Sequence, residues 1–159
     1  MKKNLIIRFA TPKDLETIVG LCREHAEFEK AKYSVKGKAE KLQNALFSPS
    51  PKFFCLLVVL NNEKVGFATY MKQFSTWEAQ DYVYLDCLFL IEMARNMGIG
   101  EILINRIKQE SKKLNCNLIQ WQTPKFNKRA INFYKRIGAI SKSKAVSYTH
   151  LTLPTTPYV

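Results

Sequence analysis

Apolar residues follow two spacings along this chain, and the points where one gives way to the other mark its elements. LIIRFA is β-rich and stops at Thr11-Pro12. From there TPKDLETIVGLCREHAEFEK carries Leu15, Ile18, Val19 and Cys22 at helical spacing, a stripe that a helix would bury on one face. Thr11 suits the N-cap, Pro12 the first helical position and Asp14 the first turn. KGKAEKLQNALF predicts a second, weaker helix that ends at SPSPK, a loop by composition. FFCLLVVL, the turn Asn61-Asn62 and KVGFATYMKQF together read as a β-hairpin, and YVYLDCLFL is another strand. Beyond Gly100, Ile102, Leu103, Ile107 and Leu114 fall on or near one helix face, and NLIQWQT returns as a strand. Asn127 then opens NKRAINFYKRIG, a helix closed by Gly138, which suits the left-handed C-terminal position. The order β-α-α-β-β-β-α-β-α predicts an α/β domain on a mixed sheet.

Composition narrows the class. With 159 residues, 47% of them apolar, the chain is long enough for one domain with a real core, expected over 1–145, and too short for two comfortable ones. No window approaches the ~18 uncharged apolar residues of a membrane span, and the N-terminal MKKNLIIRFATPKD carries charges where a secretory signal needs an apolar run. Cys22, Cys55, Cys87 and Cys116 are widely spaced with no CxxC pair, so neither a zinc knuckle nor a disulfide framework is suggested. Reduced thiols in a cytoplasm are the expectation. The net charge of +12, from 25 Lys and Arg against 13 Asp and Glu, admits an anionic ligand without identifying one. The basic residues are scattered, with no arginine-rich arm and no interleaved stacking aromatics, so nucleic-acid binding is not expected.

One stretch carries chemistry. RNMGIG, residues 95–100, follows the strand YVYLDCLFL and precedes the helix EILINRIKQESKKL, and it holds two of only six glycines. A strand, then glycines, then a helix start leaves several backbone N–H groups unsatisfied with the positive end of the helix dipole behind them. That arrangement holds phosphate, glycine lets the backbone approach it closely, and Arg95 brings a charge within reach. The pattern is neither GxGxxG nor GxxxxGK[ST], and a flexible bend would account for it equally well on its own.

Its neighbours add a resemblance. RNMGIG is similar to the R/Q-x-x-G-x-G/A signature of the GCN5-related N-acetyltransferases, and IIRFATPKDLETI, VGFATYM, YLDCLFL and NKRAINFYKRIGA fall in that family's order. The resemblance spans roughly residues 5–140. Through EHAEFE, YLDCLFL and INFYKRIGA the chain resembles in particular the diamine (spermidine/spermine) acetyltransferases and bacterial relatives that act on small amines.

The resemblance implies a mixed sheet flanked by helices, with a splayed strand before the acetyl-CoA pyrophosphate loop. It further implies direct transfer from acetyl-CoA to an unprotonated amine in a ternary complex, and a homodimer. Backbone N–H groups around Leu88, Phe89 and Leu90 would hold the pantetheine and polarise the thioester carbonyl. Arg95, Asn96, Met97, Gly98, Ile99, Gly100 and Glu101 would cradle the pyrophosphate. Asn127, Arg129 and Ala130 would also contact the cofactor, with the role of N-cap open to Asn127 at the same time. Tyr134 would contact the cofactor too and protonate the departing thiolate, although a lone tyrosine on an amphipathic helix is also a plain core aromatic. The amine would be met by Phe28, Glu29, Asp86, Gln120, Trp121 and Gln122, with Glu27 near and Asp86 helping to remove its proton through water. The diamine enzymes carry Glu and Asp where this chain has Asp86 and Cys87, a shorter carboxylate and one negative charge fewer. The other acceptors left open are a protein or amino-acid amine, and a catalytically silent acyl-CoA sensor would also keep RNMGIG.

Other residues read plainly. Cys87 has no histidine partner and is a buried strand thiol rather than a nucleophile, and His25 is a helix-face residue; no metal site is expected. Trp77 either caps the substrate cleft or closes a loop. After Gly138, where the family adds two strands, only AISKSKAVSYTHLTLPTTPYV remains. KAVSYTHLTL could form one strand, and residues 146–159 have the look of an appended or out-of-frame tail.

Overall fold

A computed structural model describes residues 4–143, so the expectations for the tail lie outside the described residues. The chain divides into two compact units, the first ending at Asn127 and the second beginning at Lys128.

The first unit holds β1 (Leu5–Phe9), α1 (Leu15–Phe28), α2 (Lys38–Leu46), β2 (Phe54–Leu60), β3 (Glu63–Ser75), β4 (Gln80–Leu90), α3 (Ile99–Lys113) and β5 (Ile119–Gln120). The strands form one sheet in the order β1-β2-β3-β4-β5, with three antiparallel pairings and a parallel one between β4 and β5. The mixed sheet and the element order are those expected. Asn61 and Asn62 both take positive φ, 50° and 69°, the conformation that lets a two-residue connection follow the twist of β2 and β3.

On one face, Ile18 and Leu21 of α1 and Leu46 of α2 pack over Cys55, Leu57, Phe67 and Phe89. Strand alternation sends Tyr70 to the opposite face, where its charged neighbours are Glu110 and Arg106 of α3. Arg106 also donates to the Ile7 carbonyl at 3.2 Å, tying α3 to β1.

Four expectations need correction. The α-helix begins at Leu15, because Pro12–Asp14 forms a single 3₁₀ turn in which the Asp14 carboxylate folds back on Thr11. That carboxylate, 1% exposed, also takes a two-pronged bond from Arg8 at 2.8 and 3.1 Å and the Lys64 ammonium at 2.7 Å. In α1 Leu21 joins the buried stripe while Cys22 is half-buried. In α3 Ile102 is 48% exposed and Ile104 takes its place beside Leu103 and Ile107; both residues flank the 103/107 line, and packing chose the other side. Leu114 is the half-buried C-cap of α3. The strand expected over NLIQWQT reduces to Ile119–Gln120, since only Val83–Ile119 and Tyr84–Gln120 pair.

The second unit contains α4 (Lys128–Arg136). It closes as expected: Gly138 takes φ 86°, and the Ile137, Gly138 and Ala139 N–H groups return to the Phe133, Lys135 and Tyr134 carbonyls.

Candidate active site

The chain reverses between β4 and α3 through a 3₁₀ turn at Glu92–Ala94 and two left-handed residues, Asn96 (φ 61°) and Gly98 (φ 75°). Gly98 is the N-cap of α3 and, as a glycine, makes no side-chain cap hydrogen bond. The first intrahelical bond runs from Ile102 N–H to the Gly98 carbonyl, which leaves the earlier amides of a fifteen-residue helix as donors with the dipole behind them. A Cβ built on Gly98 meets nothing within 4 Å, so glycine serves the backbone conformation and the space before it is open. A helix start whose N-cap is a left-handed glycine fits a pyrophosphate.

Upstream, the edge of β4 beyond Tyr84 is unpaired among the described residues. Its pairing with β5 is confined to Val83 and Tyr84, whereas its pairing with β3 continues to Leu90. Ile91 N–H bonds the Val65 carbonyl on the β3 side, so alternation directs the amides of Leu88 and Leu90 away from β3 and that of Phe89 toward it. The open edge thus carries two of the three amides named from the sequence. On the β3 side Gly66 lies opposite Leu90, and a Cβ there would sit 2.5 Å from the Phe89 carbonyl oxygen. Nothing local in VGFATYM marks Gly66 for this approach.

The Arg95 guanidinium turns back onto strand and helix. Nε donates to the Leu90 carbonyl at 2.7 Å, and Cζ lies 4.5 Å from the Phe28 ring centre and 5.4 Å from that of Phe89. His25 stacks on Phe89 at 5.2 Å, and its Nε2 lies 3.2 Å from Glu29 Oε1. Phe28 and Glu29, at the end of α1, are therefore joined to the end of β4 and the start of the loop. His25, read from sequence as a helix-face residue, is part of that junction.

Asp86 owes its position to a bulge. Thr69 pairs with Cys87 and Tyr70 with Leu85, so Asp86 is the extra residue of β4, and it is exposed. Its Oδ2 lies 3.9 Å from Cys87 Sγ. Burial, and then the Asp86 carboxylate, push the Cys87 thiol up to about 12, and Glu29 adds to the same effect. The two carboxylates thus bear on one sulfur atom, and Cys87 is a protonated thiol near neutral pH. Burial likewise pushes Cys22 up to about 11; the Tyr33 hydroxyl faces this thiol, and both Asp86 and Lys38 act on it. The Lys38 ammonium lies 4.9 Å over the Tyr33 ring.

Gln120 pairs beside Tyr84, whose hydroxyl is raised by burial and then by Asp86. Trp121 and Gln122 follow β5, and Asn127 ends the first unit with its N–H on the Pro124 carbonyl. Arg129, Ala130 and Tyr134 lie on α4 in the second unit, where Tyr134 packs at a tilt on Phe133 with ring centres 5.1 Å apart. Trp77 is almost wholly exposed in the β3–β4 connection. Among the described residues no His, Cys, Asp and Glu group is placed to hold a metal ion, and no helix is long and apolar enough to cross a membrane.

The end of β4 beyond its pairing with β5 thus stands beside the glycine-led start of α3. The profile of the acetyltransferase (GNAT) family matches residues 18–139, and the chain belongs to that family. It is 31% identical over 141 residues to the thialysine N-epsilon-acetyltransferase of Mus musculus, covering 84% of this chain and 82% of that one. The human spermidine/spermine N(1)-acetyltransferase-like protein 1 is 27% identical over 144 residues, 86% of this chain and 21% of that protein. An aminoglycoside acetyltransferase from an uncultured soil metagenomic sample superposes with a TM-score of 0.77 at 21% identity, covering 93% of this chain and 96% of the other. The chain is an N-acetyltransferase, and its acetyl donor is acetyl-CoA.

Proposed function

We propose that this enzyme acetylates the primary amine of a small diamine-like substrate by direct attack in a ternary complex. The observation that carries this reading is Asp86, which a bulge lifts out of β4 as an exposed carboxylate that bears, with Glu29, on the Cys87 thiol. Acetyl-CoA supplies the acyl group as a thioester. Residues 95–101 bind its pyrophosphate through backbone N–H groups and the α3 dipole, with Asn127, Arg129 and Ala130 beside the cofactor. The outward amides near Leu88 and Leu90 hold the pantetheine and offer donors where negative charge develops. Glu29 and Asp86 attract the ammonium, and Asp86 accepts its proton through water, a necessary step for an amine with pKa near 10.4. Phe28, Gln120, Trp121 and Gln122 border the acceptor, and Tyr134 Oη holds the proton given to the departing sulfur. The same proposal includes a single catalytic domain over 1–145, a cytoplasmic location and a homodimer, the last checked by light scattering.

One observation favours an amino-acid-like acceptor. Lys38, which lies over the Tyr33 ring, and Asp86 act in opposite directions on the Cys22 thiol, so a cation and a carboxylate are both felt there. An acceptor bearing an amine and a carboxylate complements that pair, and the mouse relative is named for thialysine. Thiol release from acetyl-CoA near pH 8.5 tests both readings against putrescine, spermidine, spermine, lysine analogues and a basic peptide. Turnover of diamines supports the first reading. Preference for lysine analogues, lost in Lys38→Met, supports the second; no turnover with any amine while acetyl-CoA still binds sinks both.

A further inference from the structure

The Arg95 side chain does something that the backbone cradle does not require. It leaves from the phosphate loop and ends on the acceptor side, where its Nε–H bonds the Leu90 carbonyl at 2.7 Å and its Cζ lies over the Phe28 ring, 4.5 Å from its centre. Phe28 is 40% exposed, and its ring is tilted against Phe89 with ring centres 6.3 Å apart. A guanidinium donates from Nε while its cationic centre sits over the ring; lysine lacks the fork and glutamine the charge, so neither reproduces both contacts. The Leu90 carbonyl points to the same open edge as the Leu90 amide, and the bond from Arg95 occupies an acceptor that would otherwise stand beside the donors of that edge.

We propose that Arg95 is a positioning residue for the amine acceptor: it fastens the end of α1, with Phe28 and Glu29, to the strand edge and the phosphate loop. The inference rests on the reading that Phe28 and Glu29 border the amine. Its consequence is that the cofactor loop and the acceptor wall hold their geometry as one unit, so damage to Arg95 is felt by the amine.

Four variants test this: Arg95→Gln, Arg95→Lys, Phe28→Leu and the double variant Arg95→Gln/Phe28→Leu. Each is measured by steady-state kinetics, calorimetric acetyl-CoA affinity and thermal unfolding. Arg95→Gln is expected to raise the amine KM about tenfold while acetyl-CoA affinity stays within about threefold. Arg95→Lys is expected to behave like Arg95→Gln, and the double variant to be no worse than the worse single one. Acetyl-CoA affinity lost tenfold with an unchanged amine KM would mean that Arg95 grips the phosphate directly, and would overturn the proposal. Wild-type behaviour of Arg95→Lys, or additive losses in the double variant, would also overturn it. If the wild type turns over no amine, the acceptor reading has failed by itself; the unfolding cycle still decides the clamp, since additive loss of Tm between Arg95 and Phe28 rejects it.

Discussion

Replacing Gly66 with alanine would put a methyl carbon where β3 and β4 leave no room. The new Cβ would lie 2.5 Å from Leu90 Cδ2, 2.5 Å from the Phe89 carbonyl oxygen and 3.2 Å from Leu90 Cα. The leucine side chain can rotate away, but the carbonyl oxygen moves only with its strand. Ordinary contact begins at 3.4 Å, so the backbone of β4 must retreat by about 0.9 Å or β3 must yield by as much. Overpacking of this kind costs about 1–3 kcal/mol, which in a domain of this size lowers Tm by about 2–12 °C. The displaced segment carries the Leu88 and Leu90 amides, and a shift of about 1 Å in catalytic geometry can cost about a hundredfold in rate. Gly66→Ala should therefore fold, melt earlier by circular dichroism and lose about two decades of kcat/KM in the thiol-release assay. Gly20→Ala is the control: nothing lies within 4 Å of a Cβ there, and α1 gains about 1 kcal/mol of helix propensity. A Gly66→Ala protein with wild-type Tm and turnover would refute the reasoning.

Three further outcomes follow. Asp14→Asn removes the carboxylate shared by Arg8, Lys64 and Thr11 and should cost about 2–4 kcal/mol in urea unfolding at pH 7. Arg8 chiefly holds the Asp14 carboxyl well below the usual carboxylate range, so the stability it supplies is complete above about pH 5 and fades as pH falls; the gap between variant and wild type should shrink at pH 3, and a constant gap would contradict the linkage. With its thiol pushed up to about 12, Cys87 carries about 1 thiolate in 10⁴ at pH 8, so iodoacetamide should modify it far more slowly than glutathione, and rapid labelling near neutral pH would count against that burial. Tyr134→Phe should lower kcat about a hundredfold with acetyl-CoA affinity kept, and an unchanged kcat would remove the tyrosine from its proposed role.

Features that depend on neighbours in sequence are legible in the sequence itself. Asn61-Asn62 marks a hairpin because two adjacent residues must tolerate positive φ, and Gly138 marks a helix end for the same local reason. The first glycine of RNMGIG belongs here as well, since the left-handed Gly98 at the N-cap of α3 follows from the chain's own turn between strand and helix. The fold class follows from periodicity in the same way, and the assignment of roles follows from the resemblance.

What the one-dimensional pattern leaves open depends on partners distant in the chain. Ile102 and Ile104 flank the same helical stripe with equal claim, and only the face packed inward separates them. A bulge is a mismatch between two registers, so the emergence of Asp86 from β4 is visible only once β3 lies beside it. The tightness at Gly66, the burial of Asp14 between Arg8 and Lys64, and the turning of Arg95 onto Phe28 are each contacts across strands, loops and helices. By itself the sequence determined the elements, their order and the glycine turn between β4 and α3, because backbone sterics and hydrophobic periodicity act over a few residues. The tertiary structure alone decided which carboxylate stands exposed, which amides face the open edge and what the arginine of the loop holds, because those outcomes depend on close packing between segments the chain keeps far apart.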